Sequence, residues 1–199
     1  MREPIQINAY VLCGGKSTRM GTEKGLVNLQ GKEFVRHITD TLKRITDSIA
    51  IIANNNGYER FGYNIIGDLV KEKGPLAGIY TGLMHSNKEL NLFLSCDIPL
   101  VKEEAIIHLI ESSVKNEGAT VTEHNGKTEP LFAVYRKTQA TLIKELLDKD
   151  ELSVMNSLSI IGSQKIPLSG ESFYDEKMLC NINTKKELEI LEEELKWKI

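Results

Sequence analysis

Apolar positions along the chain recur at two spacings. Ile7 to Leu12 is a nearly continuous apolar run of strand length. In the segment after it, Phe34, Val35, Ile38, Leu42 and Ile45 return every three or four residues, as on one face of a helix. Ser48 to Ala53 and Tyr63 to Ile66 repeat the strand signal, Leu76 to Met84 the helical one, and Leu90 to Cys96 is a fourth strand. Ile106, Leu109, Ile110 and Val114 then mark a helix, Ala119 to Glu123 and Leu131 to Tyr135 read as β, and Thr138 to Leu147 as helix. Lys165 to Leu168 and Met178 to Ile182 carry weaker β signals. Thr184 with Glu187 forms a capping box, which opens a helix with Leu188, Leu191 and Leu195 on one face.

Strands alternating with helices of these lengths predict an α/β domain: a Rossmann-like, three-layer arrangement of a mostly parallel sheet with helices on both faces and right-handed crossovers. No low-complexity linker, charge block or internal repeat divides residues 1–199, which read as a single domain. Ligands of such sheets bind beyond the carboxyl ends of the strands. That rule predicts convergence of the segments after the first four strands: Cys13 to Lys24, Asn54, Asp68 to Gly78, and Asp97.

Charge and cysteine content narrow the function. A formal net charge of -3 argues against a general nucleic-acid binder, so an anion site has to come from a local cluster of cations. Cys13, Cys96 and Cys180 are widely spaced, which suits neither a disulfide framework nor a zinc site and points to a reducing cytoplasm. No apolar run approaches the ~20 residues of a membrane span.

The local cluster follows the first strand. Gly15-Lys16-Ser17-Thr18 looks like the end of an NTPase phosphate loop, but the glycine that motif needs upstream is Tyr10. A different design remains. Gly14 and Gly15 let the main chain turn sharply and present bare N–H groups to an anion, and Lys16, Arg19 and Lys24 add cations suited to a triphosphate. The same residues also read as a glycine turn beside a solvated basic surface.

The loop is part of a longer likeness. Leu12 to Leu26 resembles the opening signature of nucleotidyltransferases of GT-A-like fold, and Gly74-Pro75-Leu76-Ala77-Gly78-Ile79 resembles a segment of the molybdenum cofactor guanylyltransferase (MobA) family. Ser95 to Leu100, Glu129 to Tyr135 and Asn181 to Thr184 are similar to later segments of that family, in the same order. Cys13 stands where alanine is usual, Glu23 where aspartate is common, Leu100 where an aromatic is common, and Lys185-Lys186 where Pro-Glu often follows. None of these departures removes a charged site residue.

The resemblance implies a nucleotide-diphospho-sugar transferase-like fold and transfer of GMP from GTP to the terminal phosphate of Mo-molybdopterin, with Mg2+. It puts GTP against Leu12, Cys13, Gly14, Gly15, Lys24, Asn54, Asp68, Gly78 and Asp97, gives Arg19, Lys24 and Asp97 the catalytic roles, and makes Asp97 the metal ligand. Asn181 and Asn183 are additional candidates for the metal or phosphate shell. Transient contact with molybdoenzymes or cofactor chaperones is among the partners it implies.

Physical chemistry supports several of these assignments and leaves other readings open. Asp97, just after an apolar strand and held by Pro99, suits a hard cation shared with phosphate oxygens, since Mg2+ commonly takes one or two carboxylates plus substrate. It also reads as a turn aspartate that caps the helix containing Ala105. Asp68 can accept from both the ring N–H and the exocyclic amine of guanine, whereas cytosine offers only the amine. Asn54 to Gly57 is also ordinary turn sequence, and Asn181 and Asn183 read equally as caps. Gly74 and Gly78 either allow close approach of backbone to the base or simply end a loop before a helix opening at Pro75. His37, His85, His108 and His124 lack metal spacing. Lys127 to Pro130 is a weak candidate for the acceptor's contacts. A related cytidylyltransferase, a non-catalytic nucleotide-binding protein and a cofactor-delivering adaptor remain as alternatives.

Overall fold

The computed structural model describes residues 6–14 and 23–196. A seven-stranded sheet is built from β1 (Ile7–Leu12), β4 (Ile49–Ile52), β5 (Asn64–Ile66), β6 (Leu90–Ser95), β7 (Ala119–His124), β8 (Lys127–Arg136) and β9 (Ser163–Pro167). Their spatial order is β5-β4-β1-β6-β8-β7-β9. β8 is antiparallel to both of its neighbours, while the other pairings are parallel. β1 and β4 are buried along their whole lengths, as expected for parallel strands covered on both faces.

The helices divide between the faces. α1 (Phe34–Leu42) and α3 (Glu103–Ser113) pack on one side, where Val35, Ile38, Ala105 and Leu109 meet Val11, Ile51 and Leu94. α2 (Gly74–His85), α4 (Ala140–Asp148) and α5 (Val154–Ile161) cover the other, where Leu76, Ile79, Ile143 and Leu158 meet Tyr10, Ile52 and Phe93. Gly82 lies so close to the sheet that a Cβ there would fall 2.6 Å from the Phe93 ring. The layered α/β arrangement follows the expectation from the alternating pattern.

A smaller cluster lies at one end. The hairpin of β2 (Asn28–Leu29) and β3 (Lys32–Glu33) turns through Gln30 and Gly31, both at positive φ. Val27, Leu29 and Phe34 around it pack with Ile182 and with Leu191 of α6 (Lys185–Lys196). This contact brings the start of the chain against its last helix.

Three readings of the pattern change. Met178 to Ile182 is not a strand: Glu176–Leu179 is a 3-10 turn, with Asp175 accepting from the Lys177 N–H, and irregular chain follows. The segment looked β-like because Met178, Leu179 and Ile182 all face the core, although no regular backbone repeat places them there. Thr138 to Leu147 divides into a 3-10 turn over Lys137–Gln139 and α4. α5, unrecognised in the apolar pattern, carries a local signal: Ser153 accepts from the Asn156 N–H at 3.2 Å, and Val154, Leu158 and Ile161 follow at helical spacing. The Thr184–Glu187 capping box forms as expected, with Thr184 N–H donating to Glu187 at 2.8 Å and Glu187 N–H to Thr184 at 3.2 Å.

Candidate functional site

β1 lies between β4, which follows it in the chain toward one edge, and β6, which the chain reaches only after crossing back. The crevice beyond the carboxyl ends of these strands is where an open parallel sheet takes ligands. A cavity of about 890 Å3 opens there. Leu12, Cys13 and Gly14 line it from β1, Asn54 from β4, Asp68 from β5, Gly74, Pro75 and Gly78 from the start of α2, Ser95 from β6 and Leu131 from β8. Six of the residues assigned to GTP from the sequence, Leu12, Cys13, Gly14, Asn54, Asp68 and Gly78, are thus joined by others that were not: Glu23, Asn55, Glu72, Ser95 and Leu131.

One wall of the cavity is a reciprocal pair. Asn54 donates from its side-chain amide to Asp68 at 2.7 Å, and the Asp68 backbone N–H donates back to the Asn54 side-chain oxygen at 2.9 Å. The pair joins the ends of two neighbouring parallel strands and holds the Asp68 carboxylate in place. Asn55 does the ordinary turn work instead, accepting from the Gly57 N–H at 2.8 Å to cap the 3-10 turn over Asn56–Phe61. Gly78 faces the same space: a Cβ there would fall 2.9 Å from Leu12 and 3.7 Å from Asp68 Oδ1, so the helix can approach this closely only without a side chain. Gly74 sits at φ 65°, a left-handed conformation that glycine adopts without strain, and it starts α2 beside the cavity.

A second cluster adjoins the cavity through Glu23 and Ser95. Lys24, in a 3-10 turn over Lys24–Leu26, donates to Asp97 Oδ2 at 2.8 Å and also to the side-chain oxygen of Asn183. Both partners of the ion pair are largely buried, with 21% and 15% of the side chains exposed. Among the described residues, Asp97 Oδ1 is buried and has no hydrogen-bond partner. Asp97 does not cap α3; the N-cap of that helix is Lys102, with no side-chain cap. Its backbone carbonyl accepts from Ile182 N–H at 3.0 Å, which fastens the C-terminal segment beside it. Asn183 is set by Glu187, whose carboxylate accepts the Asn183 N–H at 2.7 Å. That bond, with help from Thr184 and the Lys24 charge, holds the Glu187 carboxyl below its ordinary range. Asn181 lies next to this arrangement and accepts from the Asn183 amide at 3.4 Å through its backbone oxygen.

The donor set suits a hard cation. Asp97 and Asn183 offer oxygen ligands, and the unpartnered Oδ1 of Asp97 is an orphan that a cation or a substrate donor can satisfy. Among the described residues no group of three or more His, Cys, Asp or Glu side chains forms a protein cage for a metal. A cation held here has to be shared with a ligand.

Between the two clusters the floor is apolar. Burial pushes the Cys13 thiol well above its usual range, and hydrogen bonding with Cys96 adds to the effect. The Cys13 thiol therefore stays neutral at neutral pH and serves as wall rather than nucleophile. Gly25 allows this packing, since a Cβ there would lie 2.9 Å from the Tyr58 ring. Gly15, Lys16 and Arg19, assigned to the triphosphate by sequence, fall outside the described residues. The histidines are engaged elsewhere: His37 with the Leu29 carbonyl, His85 with the Thr81 carbonyl, His124 with Glu129 and His108 near Glu171. No helix among the described residues is long and apolar enough to cross a membrane.

Comparison with known proteins gives the site its context. A family described as "MobA-like NTP transferase domain" matches residues 9–161. A protein of Flavobacterium johnsoniae named probable molybdenum cofactor guanylyltransferase is 42% identical over 183 residues, covering 92% of this chain and 94% of its own. The crystal structure of molybdopterin-guanine dinucleotide biosynthesis protein A from Archaeoglobus fulgidus superposes with a TM-score of 0.82 at 25% identity, covering 96% of this chain and all (100%) of the other. A CMP:2-keto-3-deoxy-manno-octonic acid synthetase complexed with CTP shares the fold at a TM-score of 0.78 and 10% identity, over 97% of this chain and 99% of the other.

Proposed function

The chain belongs to the MobA-like NTP transferase family, and on that premise we propose that it is a molybdenum cofactor guanylyltransferase acting as one domain over residues 1–199 in the cytoplasm. It transfers GMP from GTP to the terminal phosphate of Mo-molybdopterin. An oxygen of that phosphate attacks the α-phosphorus of GTP, the bond from the α-phosphorus to the bridging oxygen breaks, and pyrophosphate leaves. The observation that carries this reading is one cavity with a fixed amide–carboxylate pair, Asn54–Asp68, on one wall and the Lys24–Asp97–Asn183 cluster adjoining it.

Each residue has a task that its position allows. Asp68 accepts from the N–H and amine edge of guanine, and Asn54 holds that carboxylate in register. Leu12, Cys13 and Gly78 form a close-fitting wall for the base and sugar. Gly14, Gly15, Arg19 and Lys24 hold the triphosphate, and Lys24 follows the charge that builds up on the leaving pyrophosphate. Asp97 and Asn183 are the residues that would hold Mg2+. The ion would supply charge neutralisation to the phosphates there. The acceptor is already an anion near neutral pH, so alignment and charge neutralisation outweigh proton transfer.

The test needs no pterin. With Mg2+ present, GTP should raise the melting midpoint much more than CTP, ATP or UTP. Ligand at about 100 times its dissociation constant adds roughly 2.7 kcal/mol. For a chain of this size that is a shift of about 5–11 °C. A larger shift with CTP would favour the cytidylyltransferase reading, and no shift with any nucleotide would sink both. Release of pyrophosphate in the presence of acceptor then separates an enzyme from a nucleotide-binding protein or adaptor.

A further inference from the structure

We propose that Lys24 holds the place of the divalent cation until the nucleotide arrives. Its ammonium sits on the two oxygens, Asp97 Oδ2 and Asn183 Oδ1, that a hard cation at this point has to take as ligands. Nucleotide binding then exchanges them: the triphosphate draws Lys24 off and the ion enters between Asp97 and Asn183. This deepens the reading of Asp97 as the cation ligand and rests on it.

Three observations lead here. The oxygens around Nζ are a carboxylate and an amide carbonyl, ligand types that suit Mg2+ or Mn2+ as well as an ammonium. The pair is largely buried, so a second cation at Asp97 meets the lysine charge with little water to screen it. Asn183 is pinned from behind, its N–H on Glu187 and its neighbour Ile182 on the Asp97 carbonyl, so it remains in ligating position when the lysine leaves.

The exchange makes ion and nucleotide mutually dependent. An ion alone competes with a lysine built into the chain, whereas a triphosphate removes the competitor and supplies further oxygen ligands. By linkage, whatever nucleotide does for ion affinity the ion does for nucleotide affinity. A free metal is kept out of a site that has no nucleotide in it.

The test is Mn2+ binding by the full chain without nucleotide, followed by the electron paramagnetic resonance signal of the free ion. Lys24→Met should bind one Mn2+ about tenfold or more tighter than wild type, within the usual range of site-to-site coupling, and Mn2+ should raise its melting midpoint. Lys24→Arg, which keeps the charge, should stay as weak as wild type. Adding Asn183→Ala to Lys24→Met should reverse most of the gain, and adding Asp97→Asn should abolish it while preserving a folded chain. No gain in Lys24→Met, whose folding is checked by its melting transition, would overturn the exchange. A gain that survives Asn183→Ala would overturn it too, by showing that the ion does not take the amide oxygen on which Lys24 sits. Because no guanine is involved, these results stand apart from the nucleotide-preference scan.

Discussion

The two sides of the cavity are built in opposite ways. On the base side, Asn54 and Asp68 are 14 residues apart, extend from neighbouring parallel strands and bond to each other at the surface. On the phosphate side, Lys24 reaches partners 73 and 159 residues away, largely out of water. The first needs only two strands in register. The second needs the hairpin, β6 and the C-terminal segment all in place, held by Ile182 and Leu191 against Leu29 and Phe34. On the proposed reading selectivity rests on a local unit and chemistry on a global one, so the two should fail separately.

The largest effect is expected at Asp97. Asp97→Ala should abolish turnover, a loss of at least about 10³-fold, comparable with or beyond removal of a key transition-state contact. The base side should stay intact, so GTP should still be preferred over CTP in a melting scan. Near wild-type turnover in a folded Asp97→Ala protein would remove the metal assignment.

Next comes Lys24, whose alanine variant should lose on the order of 10²-fold in rate. Lys16→Ala, a change in the same loop at a variable position of the signature, should cost far less. Equal losses would reduce the loop to a generic basic patch.

Asp68→Ala breaks the other side. Most of the thermal preference for GTP over other nucleotides should vanish, while a smaller shift common to all four triphosphates survives from the phosphate side. If the preference persists, guanine is read elsewhere in the cavity.

The smallest effect concerns acid. The Glu187 carboxyl is held below its ordinary value of 4.5, first by the Asn183 N–H. A lowered folded-state value means that its stabilisation is fully present above about the unfolded value and is lost as pH falls through the folded one. Rates between pH 6 and 8 should therefore not respond to this group. Below about pH 4.5 the cap should loosen, and a Glu187→Gln chain should show a shallower loss of helix and of Mn2+-free stability on acidification. An equal acid response in both chains would deny Glu187 any part in holding Asn183.

Much of this was readable from sequence where the cause is local. β1 and β4 are continuous apolar runs because both faces are covered, and the residues just past their ends are brought together by the parallel topology itself. That is why the sequence pattern alone groups Cys13, Asn54, Asp68 and Gly78, which all line the cavity. What escaped depends on irregular chain. Leu131 enters the cavity where the β7–β8 pairing slips, between Val121 opposite Ala133 and Thr122 opposite Glu129, and no periodicity marks such a slip. Met178 to Ile182 imitates a strand because its apolar side chains fill the core from a turn. Lys24 and Asn183 were both singled out, but their contact spans nearly the whole chain and depends on packing between the hairpin and α6, which has no local signature.

The tie from Ile182 to the Asp97 carbonyl has a consequence for how the protein is made. Synthesis runs from the N-terminus, so the strands that carry Asn54 and Asp68 leave the ribosome long before Asn183 does. A nascent chain can assemble the Asn54–Asp68 wall, proposed to recognise the base, while Lys24 still lacks one of its two partners. The phosphate side closes only when the last segment folds back onto the sheet. Emergence of that late segment is therefore the event that would turn the proposed guanine pocket into a complete site.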